Sequence, residues 1–268
     1  MSEIRKRDLF FAMARTLHIQ AHLNPERMQG LGFGNAILPL LRRIYADPIE
    51  CGAALRRHLA YFATHPVLSG FVVGAAARLE ERRAAGEPIA DGTIDATKRA
   101  LASPLAALGD PLLWVTLRPL AGLVGVIALL LLPPPFPGSP DLRVLLCPLF
   151  VLLTYNAVAL PYRIAGVARG YAEGDRPAAL LGSVHLSERH ALIERAGAFA
   201  FGSFLVIAAW KWNLPAVLGG GPVQRTLVVA PLLLGGVVGL FGARVWSGRP
   251  VETALVALAA GAVLAAWV

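Results

Sequence analysis

Asp110 and Arg118 flank the apolar run Pro111-Leu112-Leu113-Trp114-Val115-Thr116-Leu117 in a chain where charge is scarce. Charge held at membrane depth is costly, so such residues tend to serve ion or solute pathways, or pairing with another subunit. Leu108-Gly109-Asp110-Pro111 reads as a helix start, with Asp110 as N-cap and Pro111 at the first helical position. A helix N-terminus offers free amides and a positive dipole end, which can hold an anionic or hydroxyl-rich group. Pro119 then removes a backbone donor and biases Arg118 away from helical geometry. A helix interrupted beside an ionisable residue is how many transporters build a site at the bilayer midplane. Along a helix the two charges stand about 12 Å apart and about 80° around the axis, so Arg118 needs another partner, with Glu26 a candidate. The bland alternative is a capped, proline-kinked helix whose arginine pairs with a second subunit.

Other residues of chemical interest are weaker signals. Asn24-Pro25-Glu26 repeats the cap-then-proline pattern and predicts a helix starting there, with an acid in its first turn. Gly30, Gly32 and Gly34 alternate, but no strand precedes them and no P-loop lysine follows. Close helix packing by small residues is the better reading. His18 and His22 have the spacing of two ligands on a helix, without the His-Glu-x-x-His pattern or a carboxylate to complete a metal set. No metal site, cofactor or catalytic residue is expected. No serine or cysteine sits in a nucleophile motif, and Cys51 and Cys147 imply no disulfide framework.

Composition points to the membrane. Of 268 residues, 56% are hydrophobic and 16% charged, with mean hydropathy +0.60; a soluble chain carries about a quarter charged residues. Length alone would permit one or two soluble domains, but the apolar runs of the second half are too long and clean for that. In a bilayer such runs must be helices, because no water satisfies their amides. The net charge of +8 is mostly arginine, in doublets (Arg42-Arg43, Arg56-Arg57, Arg82-Arg83) beside apolar segments. That placement fits cytoplasmic loops against anionic lipid, and no basic stripe with interleaved aromatics suggests nucleic acid. Met1 to Asp8 lacks the apolar core of a cleavable signal, so the N-terminus is expected to be cytoplasmic.

The elements that must position these residues change character near Asp110. Over residues 1–110, charge alternates with moderate apolar stripes; over 111–268, apolar runs dominate. Leu9, Met13 and Leu17 recur at helical spacing from Asp8 to Leu23, with Arg15, His18 and His22 on another face. This predicts an amphipathic helix, too polar to span, that lies on the membrane or packs on a partner. Further helices are expected near 48–63, near 66–85 with a stop at Gly86, and from Asp91 to Ala102 with a stop at Ser103-Pro104. Apolar segments follow at 112–132, 144–160, 196–210, 227–243 and 253–268. A perpendicular span needs about 20 residues, so the shorter ones are tilted, re-entrant or extended by polar flanks. Pro133 to Pro137 marks a turn, and Trp210, Trp212 and Trp246 lie near Lys211 or Arg249 as interface anchors. The expected fold is all-α: a polytopic membrane protein with amphipathic or re-entrant N-terminal helices and several C-terminal transmembrane helices.

Asn24-Pro25-Glu26-Arg27-Met28-Gln29-Gly30-Leu31-Gly32-Phe33, then Pro39 and Arg42-Arg43-Ile44-Tyr45, resemble the N-terminal signature of the IID subunits of mannose/fructose/sorbose phosphotransferase systems. Arg56-Arg57-His58-Leu59, Phe62, Thr64-His65-Pro66, Leu79 to Gly86, Ser103 to Ala106, Gly109-Asp110-Pro111, Trp114 and Arg118-Pro119 continue the resemblance, and Gly166-Val167-Ala168 through Gly170-Tyr171 extends it. It covers roughly residues 8–175, in order. Two departures stand out: Ala107-Leu108 where the family often has Gly-Val, and Pro25 where an aromatic residue is common. Either would alter substrate choice or mark a system kept for regulation.

The resemblance implies a multi-pass inner-membrane subunit that pairs with IIC to form a sugar permease, assembled as oligomers of IIC–IID units. The phosphoryl group passes from phosphoenolpyruvate through the soluble IIA and IIB carriers, ending on a IIB histidine, and IID is not the phosphocarrier. On this reading Asn24, Glu26, Arg27 and Gln29 supply polar contacts or gating pairs. Gly109 and Asp110 form the helix-start loop, and Arg118 stabilises the site electrostatically. The alternative is a regulatory or scaffold subunit that anchors IIB without moving sugar. An unrelated membrane enzyme has little support.

Overall fold

The computed structural model describes residues 4–132, 141–174 and 176–211, and among these the chain is helical with no strand. The expected segments 227–243 and 253–268, the Pro133–Pro137 turn, Trp212, Trp246 and Arg249 lie outside the described residues. The helices are α1 (Lys6–Thr16), α2 (Gly30–Ile44), α3 (Pro48–His58), α4 (Ser69–Ala84) and α5 (Asp91–Gly109). A π-helical segment, Asp110–Leu117, leads into α6 (Arg118–Leu131), followed by α7 (Arg143–Glu173), α8 (Pro177–Ser183) and α9 (Leu186–Lys211). Two compact units result: Met1–Pro111 with Ala157–Ser187, and Leu112–Asn156 with Glu188–Val268.

In the first unit, backbone contact governs how helices meet. A Cβ on Gly30 would collide with the Ala60 carbonyl oxygen, and one on Gly32 with that of Ile19. The alternating glycines therefore serve close packing, as expected, and phosphate has no part in explaining them. Arg15 ties α1 to α2 by donating to the Asn35 carbonyl at 3.1 Å. A second glycine face joins α4 to the C-terminal part of α7. Gly74 lies against the Val167 carbonyl and Gly170 against that of Phe71, with no room for a side chain at either. The core between the helices is Phe33, Ile37, Leu40, Leu68, Phe71, Leu101 and Leu105, all essentially inaccessible.

Several boundaries differ from the sequence expectation, each for a local reason. The first helix stops at Thr16, and the chain to His22 runs in turns. Asn24 does not start a helix. Met28, at φ +50, bends the chain back so that Asn24 and Met28 exchange backbone hydrogen bonds, and α2 begins at Gly30. The third helix ends at His58 because residues beyond it bond to that same turn: the Gln29 amide donates to the Phe62 carbonyl at 2.8 Å. Gly86, at φ +98, ends α4 as expected.

Pro104 does not stop α5. Leu101, Leu105 and Gly109 are buried on one stripe that continues across it, and this packing offsets the hydrogen bond lost at proline. Asp110 likewise does not cap a helix start; its backbone is helical (φ -63, ψ -48) at the end of α5. Pro111 and Pro119 bracket the region instead. Each removes an amide and crowds the carbonyl one turn back, and the helix accommodates them by widening to π geometry over Asp110–Leu117. The irregularity expected near Arg118 is thus present as a π-helical segment, without a break.

Two helical stretches are long and apolar enough to cross a membrane, Asp91–Leu131 and Arg143–Glu173. Only 6% of the most apolar window in the second is buried, and Val144, Leu145 and Leu152 are more than half exposed. Those side chains require lipid or another subunit as cover. In the second unit α6 and α7 approach closely at Gly125, where a side chain would meet the Cys147 carbonyl and Val151.

Candidate functional site

The six sequence-identified residues of the first unit are linked through one short loop, residues 62–66, to which the sequence reading gave no role. In the turn Asn24–Gln29, the Asn24 side chain accepts from the Arg27 amide at 2.9 Å and donates to the His22 carbonyl at 3.2 Å. Asn24 is half-buried, while Glu26 and Arg27 point to the exterior. Gln29 is buried and doubly engaged: its Nε2 donates to the Thr64 carbonyl at 2.8 Å and its Oε1 accepts from the Thr64 amide at 3.1 Å. A side-chain amide that satisfies both backbone groups of a distant residue is a clamp, and it leaves Gln29 little capacity for a ligand. Thr64 extends the clamp to α5, donating its hydroxyl to the Ala102 carbonyl at 2.9 Å.

The same loop receives Gly109. A Cβ there would press on Leu68 and His65, so only glycine lets α5 approach, and this places the half-buried Asp110 one residue beyond the contact. His65 Nδ1 accepts from the Val67 amide at 3.2 Å. Burial, aided by Arg163, lowers its pKa to about 4, so the ring is neutral at physiological pH. Residues 62–66 therefore join the Asn24–Gln29 turn to the Gly109-Asp110 corner. Arg118 belongs to the second unit, where it is exposed at the start of α6. Glu26, the partner expected for Arg118, belongs to the first unit. Also in the second unit, Thr116 bonds His190 at 3.1 Å.

Beside the clamp lies a charged junction that was not anticipated. Glu80 of α4 is fully buried and takes four donor contacts. Its Oε1 accepts from His58 Nε2 at 2.8 Å and Arg57 Nε at 3.3 Å. Its Oε2 accepts from the Tyr45 hydroxyl at 2.7 Å and Arg57 Nη2 at 2.8 Å. The ends of α2, α3 and α4 are thereby joined at one carboxylate. Burial alone would raise its pKa, but the hydrogen bonds from His58 and Arg57 outweigh this and hold it at about 2. Burial drives the His58 imidazole down and keeps it neutral, with the proton on Nε2 facing Glu80 and the bare Nδ1 without a hydrogen-bond partner. The Tyr45 phenol is pushed well up by burial and by the adjoining carboxylate.

Aromatic contacts link junction and clamp. The Phe33 ring lies 5.6 Å from that of His58 and 4.5 Å from that of Phe62. On the same ring rests the buried ammonium of Lys98, 4.7 Å from the centroid, with no hydrogen-bond partner. A sequence signal for Glu80 did exist. Val73, Ala76 and Ala77 are buried on the stripe that Glu80 continues at helical spacing, and a carboxylate on an apolar face is informative.

Among known proteins, residues 3–219 match the model of the PTS system mannose/fructose/sorbose family IID component. The chain belongs to this IID family. The sorbose-specific EIID component of Lacticaseibacillus casei is 35% identical over 235 residues, covering 86% of this chain and 78% of that protein. The mannose-specific EIID component of Escherichia coli K12 is 36% identical over 173 residues, covering 64% and 57% respectively. A cryo-EM structure of the mannose transporter ManYZ with microcin E492 aligns with TM-score 0.57 at 35% identity, over 77% of this chain and 71% of that one. This IID component is therefore a membrane protein of the sugar phosphotransferase class. Its signature segments acquire physical meaning in the first unit: turn and clamp (Asn24–Phe33, Thr64–Pro66), charged junction (Tyr45, Arg57-His58, Glu80) and glycine contacts (Gly109, Gly166, Gly170). Among the described residues no group of three or more His, Cys, Asp or Glu is arranged to hold a metal ion.

Proposed function

We propose that this IID component forms the sugar path of a mannose/fructose/sorbose-type permease together with a IIC subunit, in the bacterial inner membrane, with its N-terminus in the cytoplasm. The IIA and IIB carriers deliver the phosphoryl group, and sugar is released as its phosphate. The observation that carries this reading is the Gln29–Thr64 clamp, which draws the polar turn Asn24–Arg27 and the Gly109-Asp110 corner to one loop in a chain of this family. Asn24, Glu26 and Arg27 offer polar groups at the edge of that loop, and Asp110 offers acceptors for sugar hydroxyls. Arg118 supplies a planar fork of donors from its own unit. The exposed apolar face of α7 fits cover by IIC and lipid, in an oligomer of IIC–IID units.

With capping excluded by the continuous helix, the charge of Asp110 is the property to test. Asp110→Asn keeps the shape and Arg118→Lys keeps the charge. Each is expected to assemble with IIC at near-normal levels and to lose most sugar phosphorylation. Membrane abundance, co-purification with IIC and phosphorylation rate are measured together. Normal rates in both variants would reduce these residues to helix architecture, and loss of assembly would make them a structural joint.

A further inference from the structure

The charged junction around Glu80 has no part in the function proposed above, yet it touches the clamp through a continuous series of side chains. His58, bonded to Glu80 at 2.8 Å, lies against Phe33. Phe33 lies against Phe62, whose carbonyl accepts from the Gln29 amide. Phe33 also follows Gln29 by one helical turn, and its amide donates to the Gln29 carbonyl at 2.8 Å. A buried carboxylate with four donor contacts is a rigid point, because moving a donor costs the charge a hydrogen bond that no water in the interior replaces.

We propose that Glu80 is a positioning residue for sugar binding: through His58, Phe33 and Phe62 it fixes the Gln29–Thr64 clamp and so the placement of the Asn24–Arg27 turn. This rests on the reading of that turn as sugar-facing. The Glu80 carboxylate is buried and touches no sugar; its effect is on how well the turn is held. Loosening the turn weakens ground-state and transition-state binding alike, which raises KM and leaves kcat in place. A residue needed only for folding would instead lower the amount of intact complex and leave the KM of the surviving fraction unchanged.

The test uses the full chain co-expressed with IIC, and phosphoenolpyruvate-dependent phosphorylation with the soluble carriers supplied in excess. KM, kcat and complex abundance are measured for Glu80→Gln, Gln29→Ala and the double variant. Tyr45→Phe, which removes one of the four donors, is the milder substitution for use where Glu80→Gln assembles poorly. Arg99→Gln, which alters only an exposed pair with Asp95, serves as control. The expected result is a KM raised by about tenfold in each single variant with kcat within about twofold, and little further rise in the double variant because both act on one element. A smaller KM rise in Tyr45→Phe, likewise absorbed by Gln29→Ala, supports the same conclusion. Independent multiplication of the two effects, or wild-type KM with reduced complex, overturns the proposal. Wild-type KM in Gln29→Ala overturns the sugar-facing turn itself, whereas a raised KM in Gln29→Ala with none in Glu80→Gln removes only the role of Glu80.

Discussion

Replacing Glu80 by glutamine should cost stability in a way that depends on pH. The carboxyl of the folded chain has its pKa held at about 2, against an ordinary value of 4.5. Because the folded value is the lower one, the unfolded chain takes up the proton first as pH falls. The contribution of the charge is therefore complete above about pH 5 and is lost between the unfolded value of 4.5 and the folded value of about 2. At about 1.4 kcal/mol per pH unit, that interval corresponds to roughly 3 kcal/mol. Glutamine also turns an NH2 group toward Arg57, which donates to both carboxylate oxygens, donor against donor, and this adds a cost that does not vary with pH. The assay is unfolding of the wild-type and variant complexes with IIC, in one detergent, across pH 7 to 3. Carboxylates common to both proteins cancel in the difference. The pH-dependent part of that difference should be roughly 3 kcal/mol at pH 7 and less than half of that near pH 3. A difference that stays flat over this range would refute the charged junction.

Three further outcomes follow from the geometry. Gly170→Val should prevent stable assembly, since its Cβ has no space beside the Phe71 carbonyl, while Gly52→Ala, with nothing within 4 Å, should be neutral or stabilise by up to about 1 kcal/mol; complex yield and thermal unfolding report both. Lys98→Met should be no less stable than wild type by the same unfolding assay, because a buried ammonium lacking a hydrogen-bond partner is replaced by an apolar chain of similar volume. Single cysteines at Arg5 and Arg56, in a chain lacking Cys51 and Cys147, should resist impermeant reagents in intact cells and react in inverted vesicles. Labelling from outside would reverse the proposed orientation.

Composition and apolar runs made the class legible, and the alternating glycines at 30, 32 and 34 were read correctly as packing residues. Local cap-and-proline signals were less reliable. Asn24-Pro25-Glu26 and Asp110-Pro111 both carry the chemistry of a helix start, but tertiary contacts decide otherwise at each. At the first, Met28 takes a left-handed conformation and the turn bonds to Phe62. At the second, the buried stripe Leu101, Leu105, Gly109 continues the helix through Pro104 to Asp110. The clamp could not be read from spacing, because Gln29 and Thr64 are brought together only when the loop after α3 folds back on the start of α2 and Thr64 meets α5. Glu80 lay in a run, Glu80-Glu81-Arg82-Arg83, that looks like a solvated helix end; its burial shows only when the stripe from Val73 is followed forward.

Phosphoenolpyruvate-dependent phosphorylation of a panel of sugars tests the central claim most directly. Membranes containing this chain and a IIC partner are compared with membranes containing either alone, with soluble IIA and IIB carriers present throughout. The account predicts sugar phosphate formation only where both membrane subunits are present. Phosphorylation at the full rate by IIC membranes lacking this chain would contradict a place for it in the sugar path.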